Sequence, residues 1–233
     1  MSKREEQRKI REQKQKEAAA RQKRQQFMTK LAMYVLAPLV LAAVVYTYLG
    51  QGEVYSPVEI SETDHTRGNP NGLPLVVYAD FQCPACANEY QHMTQAWNRI
   101  SSDVQLVFRH FPLSNAHPHA WTAASYAEAA GRQGKFWEMY DALFVNQSYW
   151  STLSPAAVEM EFDGYLTLIG VDLEQAHLDL EDETLTQKIR NDQRGGNRSG
   201  VRSTPTLFLD GKLMPIPRSA RDIINMVAEA KEA

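Results

Sequence analysis

Cysteine is scarce in this chain, which has two among 233 residues. Two sulfurs exclude a disulfide-dense mini-protein and a zinc site built from cysteines alone, because each needs about four or more. Basic residues are also scarce beyond the N-terminus. Residues 31–233 contain 14 Lys and Arg against 24 Asp and Glu. This part of the chain is therefore acidic and lacks the basic face that binding to nucleic acid requires.

The first 30 residues reverse this balance, with 11 Lys and Arg against 4 Asp and Glu. Residues 1–26 are rich in helix formers but have no apolar stripe, which predicts a solvated helix or a disordered arm. Residues 31–49 contain 19 positions without a charge. As a helix they would cover about 28 Å of a hydrocarbon core about 30 Å thick. We predict one transmembrane helix here, bent at Pro38.

The apolar segment is interpreted as an uncleaved signal anchor. It is longer than the apolar part of a secretory signal peptide, about 7 to 15 residues, and residues 47–49 make a poor cleavage site. The basic flank precedes the segment, so the positive-inside rule places residues 1–30 in the cytoplasm and the rest outside the cell membrane. The basic tail is also a candidate contact for membrane lipid. Both cysteines then lie in an oxidising compartment.

The rest of the chain alternates between strand and helix patterns, which predicts an α/β domain. Residues 50–72 are rich in turn formers and predict an extracytoplasmic linker, with one candidate strand at 53–60. Strand patterns follow at residues 74–81, 103–111 and 206–210, the last continuing through an Asp-Gly turn into a return strand that ends at residue 216. Helix patterns cover residues 87–100, 117–198 and 219–231.

The two cysteines, Cys83 and Cys86, lie where a strand pattern passes into a helix pattern. Unpaired N–H groups and the dipole at a helix N-terminus lower the pKa of a cysteine, so we expect Cys83 to attack as the thiolate. Cys86, one turn later on the same face, is the expected buried partner. A purely structural disulfide is the alternative, but it would close too small a loop to stabilise the fold much. The arrangement is typical of a thioredoxin-like redox dithiol.

A metal site made from the cysteine pair and a histidine is a further alternative. His92 lies about 180° from Cys83 around an ideal helix, so it is poorly placed as a third ligand. His110, His117 and His119 cluster near the second strand pattern and the start of the helical block. His117-Pro118-His119 could reach a metal, but we interpret these histidines as structural or surface residues. We therefore assign no metal ligand and predict no cofactor.

Five motifs occur in order along the chain: Asp80-Phe-Gln-Cys-Pro-Ala-Cys86, Arg109-His-Phe-Pro-Leu113, His117-Pro118, Gln133-Gly-Lys-Phe-Trp-Glu-Met139 and Ser203-Thr-Pro-Thr206. Together they resemble the DsbA family of thiol-disulfide oxidoreductases, particularly its membrane-tethered BdbD-like branch. The resemblance extends from about residue 72 to the C-terminus and leaves out the basic tail and the apolar segment.

The resemblance implies a thioredoxin-like fold over residues 73–233, with a helical insertion at about 116–198. It implies a cis peptide bond between Thr204 and Pro205, with the Thr204 backbone pairing with an extended substrate beside Cys83. Pro84 and Ala85 would form the active-site loop between the cysteines. The implied partners are unfolded exported proteins with free cysteines and a quinone-linked membrane protein of the DsbB or VKOR kind.

The sequence departs from the family pattern at two places. Val77 occupies the position, six residues before the first cysteine, where thioredoxins carry a buried carboxylate, and Asp80 has the opposite strand parity. The best-known family member has Pro-His between its cysteines, where this chain has Pro84-Ala85. Because a histidine there helps to stabilise the thiolate, this difference favours a weaker oxidant.

We therefore predict a single-pass membrane protein whose extracytoplasmic, thioredoxin-like domain introduces disulfides into exported proteins. A disulfide reductase or isomerase of the same fold is the first alternative. A copper-handling or peptide-binding module, with the cysteines as ligands, is the second. The reduction potential separates an oxidase from a reductase, and metal retained by the reduced domain would favour the binding module.

Overall fold

A computed structural model of the chain describes residues 3–49 and 56–232. The chain divides into two compact units, Met1–Gln51 and Gly52–Ala233. The described part of the first unit is helical: α1 covers Lys3–Leu31, a π-helical segment covers Ala32–Leu36, and α2 covers Ala37–Leu49. Of the two states predicted for the basic tail, the structure has the helix.

The π-helical segment ends at Leu36, two residues before Pro38. Pro38 is the position at which the sequence predicts a bend. Proline has no N–H, so it cannot donate to the carbonyl of Tyr34, four residues earlier. A wider turn allows the neighbouring N–H of Ala37 to reach the carbonyl of Ala32, five residues back. The missing donor is thus accommodated without ending the helix.

The first unit has the length and composition of a membrane anchor. Between Lys14 and Val45 it contains a window long and apolar enough to cross a membrane, and none of that window is buried within the protein.

The second unit is built on a five-stranded mixed sheet in the order β1-β3-β2-β4-β5. Strands β2 and β3 are parallel, and all other neighbouring pairs are antiparallel. The carboxyl ends of β2 and β3 therefore meet at one edge, and the segment carrying both cysteines leaves β2 there. The strands are β1 His65–Gly68, β2 Leu73–Ala79, β3 Val104–His110, β4 Thr206–Leu209 and β5 Lys212–Leu213.

The turn between β4 and β5 is the predicted Asp-Gly hairpin turn. Asp210 (φ 48°) and Gly211 (φ 73°) both adopt the left-handed conformation, as a two-residue turn that matches the twist of the strands requires. The hairpin is confirmed, although its second strand ends at Leu213 and not at residue 216.

Alternate residues of the central strands point into two separate apolar clusters, one on each face of the sheet. The larger cluster also contains both cysteines and the apolar side of helix α3, Pro84–Ile100. The smaller one lies on the opposite face. In the strands, the first cluster contains Leu75, Val77, Ala79, Val104, Leu106, Phe108, Leu207 and Leu209, and the second contains Val76, Tyr78, Val107 and Phe208.

Six helices lie between β3 and β4, within the insertion predicted at about 116–198. Two of these helices begin at the residues that the sequence predicts. Ser154 is the N-cap residue before Pro155, which occupies the first helical position. The Asp172 carboxylate caps another helix by accepting from the N–H of Gln175. The α/β fold class with a helical insertion is confirmed. The helices are α3 Pro84–Ile100, α4 Ala120–Arg132, α5 Phe136–Val145, α6 Gln147–Trp150, α7 Pro155–Leu168, α8 Leu173–Glu181, α9 Glu183–Arg198 and α10 Ala220–Glu232.

The linker predicted over residues 50–72 is too long. Residues 65–68 form β1, which pairs antiparallel with residues 105–108 of β3. Of the candidate strand at 53–60, the described residues 56–60 form turns and irregular chain, and residues 53–55 lie outside the described part. Residues 56–72 therefore belong to the domain.

Arg109 explains why this segment is folded despite its loop-like composition. The guanidinium is buried and donates to the Asp64 carboxylate (2.8 Å) and to the carbonyl of Ser56 (2.9 Å). Strand β1 has no apolar alternation of its own, so its position depends on pairing with β3. Contacts of this kind, between residues far apart in sequence, leave no local pattern.

Candidate active site

Cys83 lies at the junction between β2 and α3, as the sequence predicts. It is the N-cap residue of α3, with extended backbone angles, and Pro84 occupies the first helical position, where its missing N–H costs no hydrogen bond. The Cys83 carbonyl accepts from the N–H groups of Cys86 (3.0 Å) and Ala87 (3.2 Å). Pro84 and Ala85 are exposed, so the loop between the cysteines faces solvent.

The surroundings of Cys83 favour its thiolate. Both cysteines are free thiols. A hydrogen bond from the Cys86 thiol lowers the pKa of Cys83 to about 5, against the opposing effect of burial; the Thr204 hydroxyl and backbone N–H groups contribute in the same direction. The Cys83 sulfur is therefore ionised at neutral pH, and its side chain retains a 7% exposed fraction.

Cys86 has the opposite character. It is fully buried, and burial raises its pKa well above the usual value, with the neighbouring Cys83 sulfur adding to the rise. Cys86 therefore keeps its proton at neutral pH and donates it in a hydrogen bond to the Cys83 thiolate. The two sulfurs differ in charge and in access, although both belong to one short helical turn.

The loop before β4 brings Thr204 and Pro205 against the cysteines. The peptide bond between them is cis, as the resemblance implies. The Cys83 sulfur lies 3.5 Å from the Thr204 carbonyl oxygen, to which the neutral thiol donates. The buried Thr204 hydroxyl has no hydrogen-bond partner among the described residues while Cys83 is a thiol, and it lies where it can donate to the thiolate.

Two glutamines hold the segment that leads to Cys83, and the sequence gives no signal for either. Gln147, the first residue of α6, is buried and donates its side-chain amide to the carbonyls of Phe81 (2.7 Å) and Cys83 (2.8 Å). Gln82 accepts from the N–H of His119 through its amide oxygen and donates to the Ser151 carbonyl (3.3 Å). The helical insertion thus positions the nucleophile's loop by side-chain hydrogen bonds.

The departure at Val77 is visible in the structure. Val77 is buried in the apolar core, where thioredoxins place a carboxylate. The side chain of Asp80 is fully buried as well, but it accepts from the N–H groups of Gln82 (2.7 Å) and Leu113 (2.9 Å) and from His117 Nδ1 (2.7 Å). Asp80 therefore ties the loop after β2 to the loop after β3.

The histidines weighed as metal ligands have other partners. His117 bonds Asp80, and His119 Nε2 lies 2.9 Å from the Leu153 carbonyl oxygen. Nδ1 of His92 is buried without a hydrogen-bond partner in the described structure. The structure does not bring these three side chains together with the cysteines as a set of ligands.

This arrangement is suited to thiol-disulfide exchange. Exchange needs an accessible thiolate, a second thiol close enough to form a disulfide with it, and a low pKa on the sulfur that leaves. Cys83 is buried, with 7% of its surface exposed, but it is the more accessible of the two cysteines and supplies the first and third; Cys86 supplies the second. The cis bond at Pro205 and the Thr204 backbone border the accessible sulfur.

A thioredoxin family model matches residues 60–228 of the chain. Among curated proteins, the chain is similar to the Na(+)/H(+) antiporter NhaA 1 of Mycolicibacterium gilvum, with 36% identity over 168 residues. This match covers 70% of the chain and 26% of the antiporter. The chain thus spans about a quarter of the length of the curated relatives it matches.

Solved structures share the fold. A thioredoxin-like oxidoreductase from Silicibacter pomeroyi is similar at a TM-score of 0.63 and 25% identity, covering 74% of this chain and 95% of that one. The thiol-disulfide exchange protein alpha-DsbA2 from Wolbachia pipientis is similar at a TM-score of 0.61 and 22% identity, covering 73% and 88%. The fold expected from the five sequence motifs is confirmed.

Proposed function

Because this chain belongs to the thioredoxin family, we propose that it is a membrane-anchored thiol-disulfide oxidoreductase that introduces disulfides into exported proteins. The observation that carries the proposal is the contrast between the two sulfurs. The pKa of Cys83 is lowered to about 5 at the exposed end of α3, while Cys86 beneath it is buried and protonated. No cofactor takes part in the exchange.

The reaction begins with the Cys83–Cys86 disulfide. A thiolate of the substrate attacks the Cys83 sulfur, a mixed disulfide forms, and Cys86 leaves as a thiolate that takes up a proton because its burial favours the neutral form. A second substrate thiolate then attacks the substrate sulfur of the mixed disulfide. Cys83 leaves as a thiolate, the substrate gains a disulfide, and two electrons remain on the enzyme's dithiol.

The low pKa of Cys83 supports oxidation of the substrate over reduction. A sulfur of low pKa is a good leaving group in the second step. The same stabilised thiolate exists only in the reduced enzyme, so it favours the reduced form and makes the disulfide more oxidising. The hydrogen bonds from Cys86 and Thr204 and from the backbone supply this effect without a histidine between the cysteines.

The Thr204 backbone is the proposed docking edge for substrate. An extended peptide that pairs with Thr204 would bring its cysteine next to Cys83, because the Thr204 carbonyl oxygen lies 3.5 Å from that sulfur. Buried Pro205 keeps this edge in place, and the exposed Pro84 and Ala85 border it on the other side.

The apolar helix and the basic tail support a location at the cell membrane. We propose that residues 1–30 are cytoplasmic and contact membrane lipid, and that the domain faces the extracytoplasmic side, where exported proteins with free cysteines are available. Regeneration of the disulfide requires an oxidant, for which a quinone-linked membrane protein of the DsbB or VKOR kind is proposed.

The test uses the full chain, purified in detergent with its disulfide formed. It is expected to oxidise a reduced, unfolded dithiol protein, while Cys83→Ser and Cys86→Ser each abolish turnover, because neither variant can form the enzyme's own disulfide. Turnover by Cys83→Ser at the wild-type rate would refute the mechanism. A reduction potential near that of thioredoxin, about −270 mV, would instead assign the chain to the reductase or isomerase alternative.

A further inference from the structure

Three side chains with metal-ligating atoms converge on the sheet face opposite Arg109. His65 comes from β1, His110 from the end of β3 and Glu128 from α4. The Nε2 atoms of His65 and His110 lie 2.8 Å and 2.7 Å from the same Glu128 oxygen, Oε1. Ligating atoms of the three residues all lie within 4.8 Å of one another.

The residues around His65 leave space for its imidazole ring and contact it closely. The ring stacks on Phe136 with centroids 3.5 Å apart and planes 4° apart. A Cβ at Gly131 on α4 would come 2.8 Å from His65 Cε1, closer than real side-chain carbons approach, so glycine there makes room for the imidazole. The His110 side chain is 1% exposed and that of Glu128 is 9% exposed, whereas His65 is 18% exposed and leaves a path to solvent.

The buried cations of the neighbouring elements make their ion pairs with other carboxylates, although Lys188 also attracts Glu128 electrostatically. Arg109 pairs with Asp64 (2.8 Å), and Lys188 pairs with Asp192 (2.7 Å). The two imidazoles are the direct hydrogen-bond partners of the buried Glu128 carboxylate. A buried anion of this kind is stabilised by a nearby cation.

We propose that His65, His110 and Glu128 form a site for one divalent transition-metal ion of the zinc class. Two imidazole nitrogens and a carboxylate oxygen are donors that suit zinc, cobalt and nickel. The ion would link β1, β3 and α4, and so fasten the edge of the sheet to the helical insertion. The proposal is independent of the dithiol chemistry, because no cysteine takes part.

Binding involves coordination only, without a change of oxidation state. Metal bonds of about 2.1 Å space tetrahedral ligand atoms roughly 3.4 Å apart, so each imidazole nitrogen must move roughly 0.6 to 0.7 Å away from the Glu128 oxygen. Each neutral imidazole then carries its hydrogen on Nδ1. Nδ1 of His110 has no partner in the described part of the chain. We therefore expect an affinity about 10- to 100-fold below that of zinc sites whose histidines are all held by acceptors.

The experiment uses the full chain, purified without an affinity tag and with the cysteines oxidised so that sulfur cannot ligate. Equilibrium dialysis against Zn²⁺ and visible absorption with Co²⁺ are expected to show one ion per chain and a cobalt spectrum typical of nitrogen and oxygen ligands. His65→Ala and Glu128→Gln should each remove the bound ion and the spectrum. Zinc should also raise the unfolding temperature of the wild type but not of these variants.

His177→Ala is the matched control, because His177 is an exposed histidine that also bonds a carboxylate, Asp163 (2.9 Å). This variant should bind one ion like the wild type. Absence of zinc and cobalt binding by the wild type would overturn the proposal and leave the cluster as a hydrogen-bonded group. Retention of the ion by a folded His65→Ala chain, with folding checked by circular dichroism, would also overturn it. If that variant does not fold, Glu128→Gln decides in the same way.

Discussion

Thr204 has a buried hydroxyl beside the two sulfurs and no hydrogen-bond partner within the described structure while Cys83 is a thiol. We predict that Thr204→Val raises the pKa of Cys83 above its value of about 5. The lost hydrogen bond is one to a charged group, worth about 1.5 to 3 kcal/mol, which corresponds to roughly one to two pH units. The measurement is thiolate absorbance of the reduced protein against pH.

Thr206→Val is the matched control for this prediction. Thr206 is the first residue of β4, two positions after Thr204, and its hydroxyl donates to the Ser203 carbonyl (2.7 Å). The pKa of Cys83 should stay unchanged in this variant. Equal titration curves for Thr204→Val and the wild type would show that the Thr204 hydroxyl does not stabilise the thiolate.

The Cys83 thiolate also makes the stability of the reduced protein depend on pH. A thiol with a pKa of 9.0 when unfolded and about 5 when folded contributes about 3 kcal/mol at pH 7. This contribution is largest above pH 9 and is lost as the pH falls through 5. We predict that denaturant unfolding of the reduced form loses this amount between pH 7 and pH 4, relative to the oxidised form.

The oxidised form is the necessary reference because other groups titrate in both forms. Buried Glu89 is one of them, since burial raises its pKa to about 8. Subtracting the oxidised protein's stability removes such contributions. A reduced-minus-oxidised difference that is constant from pH 4 to pH 7 would contradict the low pKa of Cys83.

Among individual residues, the sequence identifies the two reactive cysteines but not the groups that shift their pKa values. Cys83 and Cys86 are recognisable because their spacing and position depend only on neighbours along the chain. The partners Thr204 and Gln147 lie 121 and 64 residues from Cys83. The motif Ser203-Thr-Pro-Thr206 places the Thr204 backbone beside Cys83 through the family resemblance. Nothing in the sequence indicates that the Thr204 hydroxyl lies near the sulfur or that Gln147 binds the Cys83 carbonyl.

Helix α6 contains only four residues, yet its first residue holds the loop that carries the nucleophile. We predict that Gln147→Leu destabilises the domain by about 1 to 3 kcal/mol, because the buried carbonyl of Phe81 loses its side-chain donor and that of Cys83 loses one of its donors. Denaturant unfolding of the oxidised protein measures the change.

Gln187→Leu is the corresponding control in α9. Gln187 is partly buried and bonds the Asn191 side chain (2.7 Å) one turn away on the same helix, so its loss should change stability by no more than about 0.5 kcal/mol. A Gln147→Leu variant as stable as this control would show that the loop is held by other contacts.

At the scale of elements, prediction succeeded where an element has its own pattern. Strand β2, helix α3, strand β3, the Asp-Gly hairpin and α10 all have local apolar periodicity or a turn signal. Strand β1 has neither: its four residues, His-Thr-Arg-Gly, pair with β3 and adjoin a segment fixed by the buried Arg109. Its formation depends on contacts across about 40 residues of chain, which composition does not reveal.

For the whole molecule, the apolar helix is long and apolar enough to cross a membrane, and its proposed role as an anchor can be tested. Val40 lies at the centre of the predicted span 31–49 and is exposed. A lysine at the centre of a membrane helix costs about 2.5 to 3.5 kcal/mol on insertion scales. We predict that Val40→Lys increases the fraction of the chain released from membranes by alkaline extraction.

Val40→Leu, which keeps the site apolar, should remain in the membrane fraction like the wild type. Deletion of residues 1–55 should make the chain soluble. Membrane-impermeant thiol reagents applied to intact cells should label Cys83 if the domain is extracytoplasmic. Recovery of the wild-type chain in the soluble fraction would contradict the anchor.

Sequence patterns predict the α/β class, the apolar helix, the helical block and the two cysteines at a strand-to-helix junction, and the family resemblance adds the Thr204 backbone beside Cys83. The patterns arise from interactions between residues close together along the chain, and such interactions are periodic. The fold adds what no pattern indicates: Gln147 holds the Cys83 segment, residues 56–72 belong to the domain, and His65, His110 and Glu128 converge. Those contacts depend on how the sheet and helices pack, because folding brings together side chains that are distant in sequence.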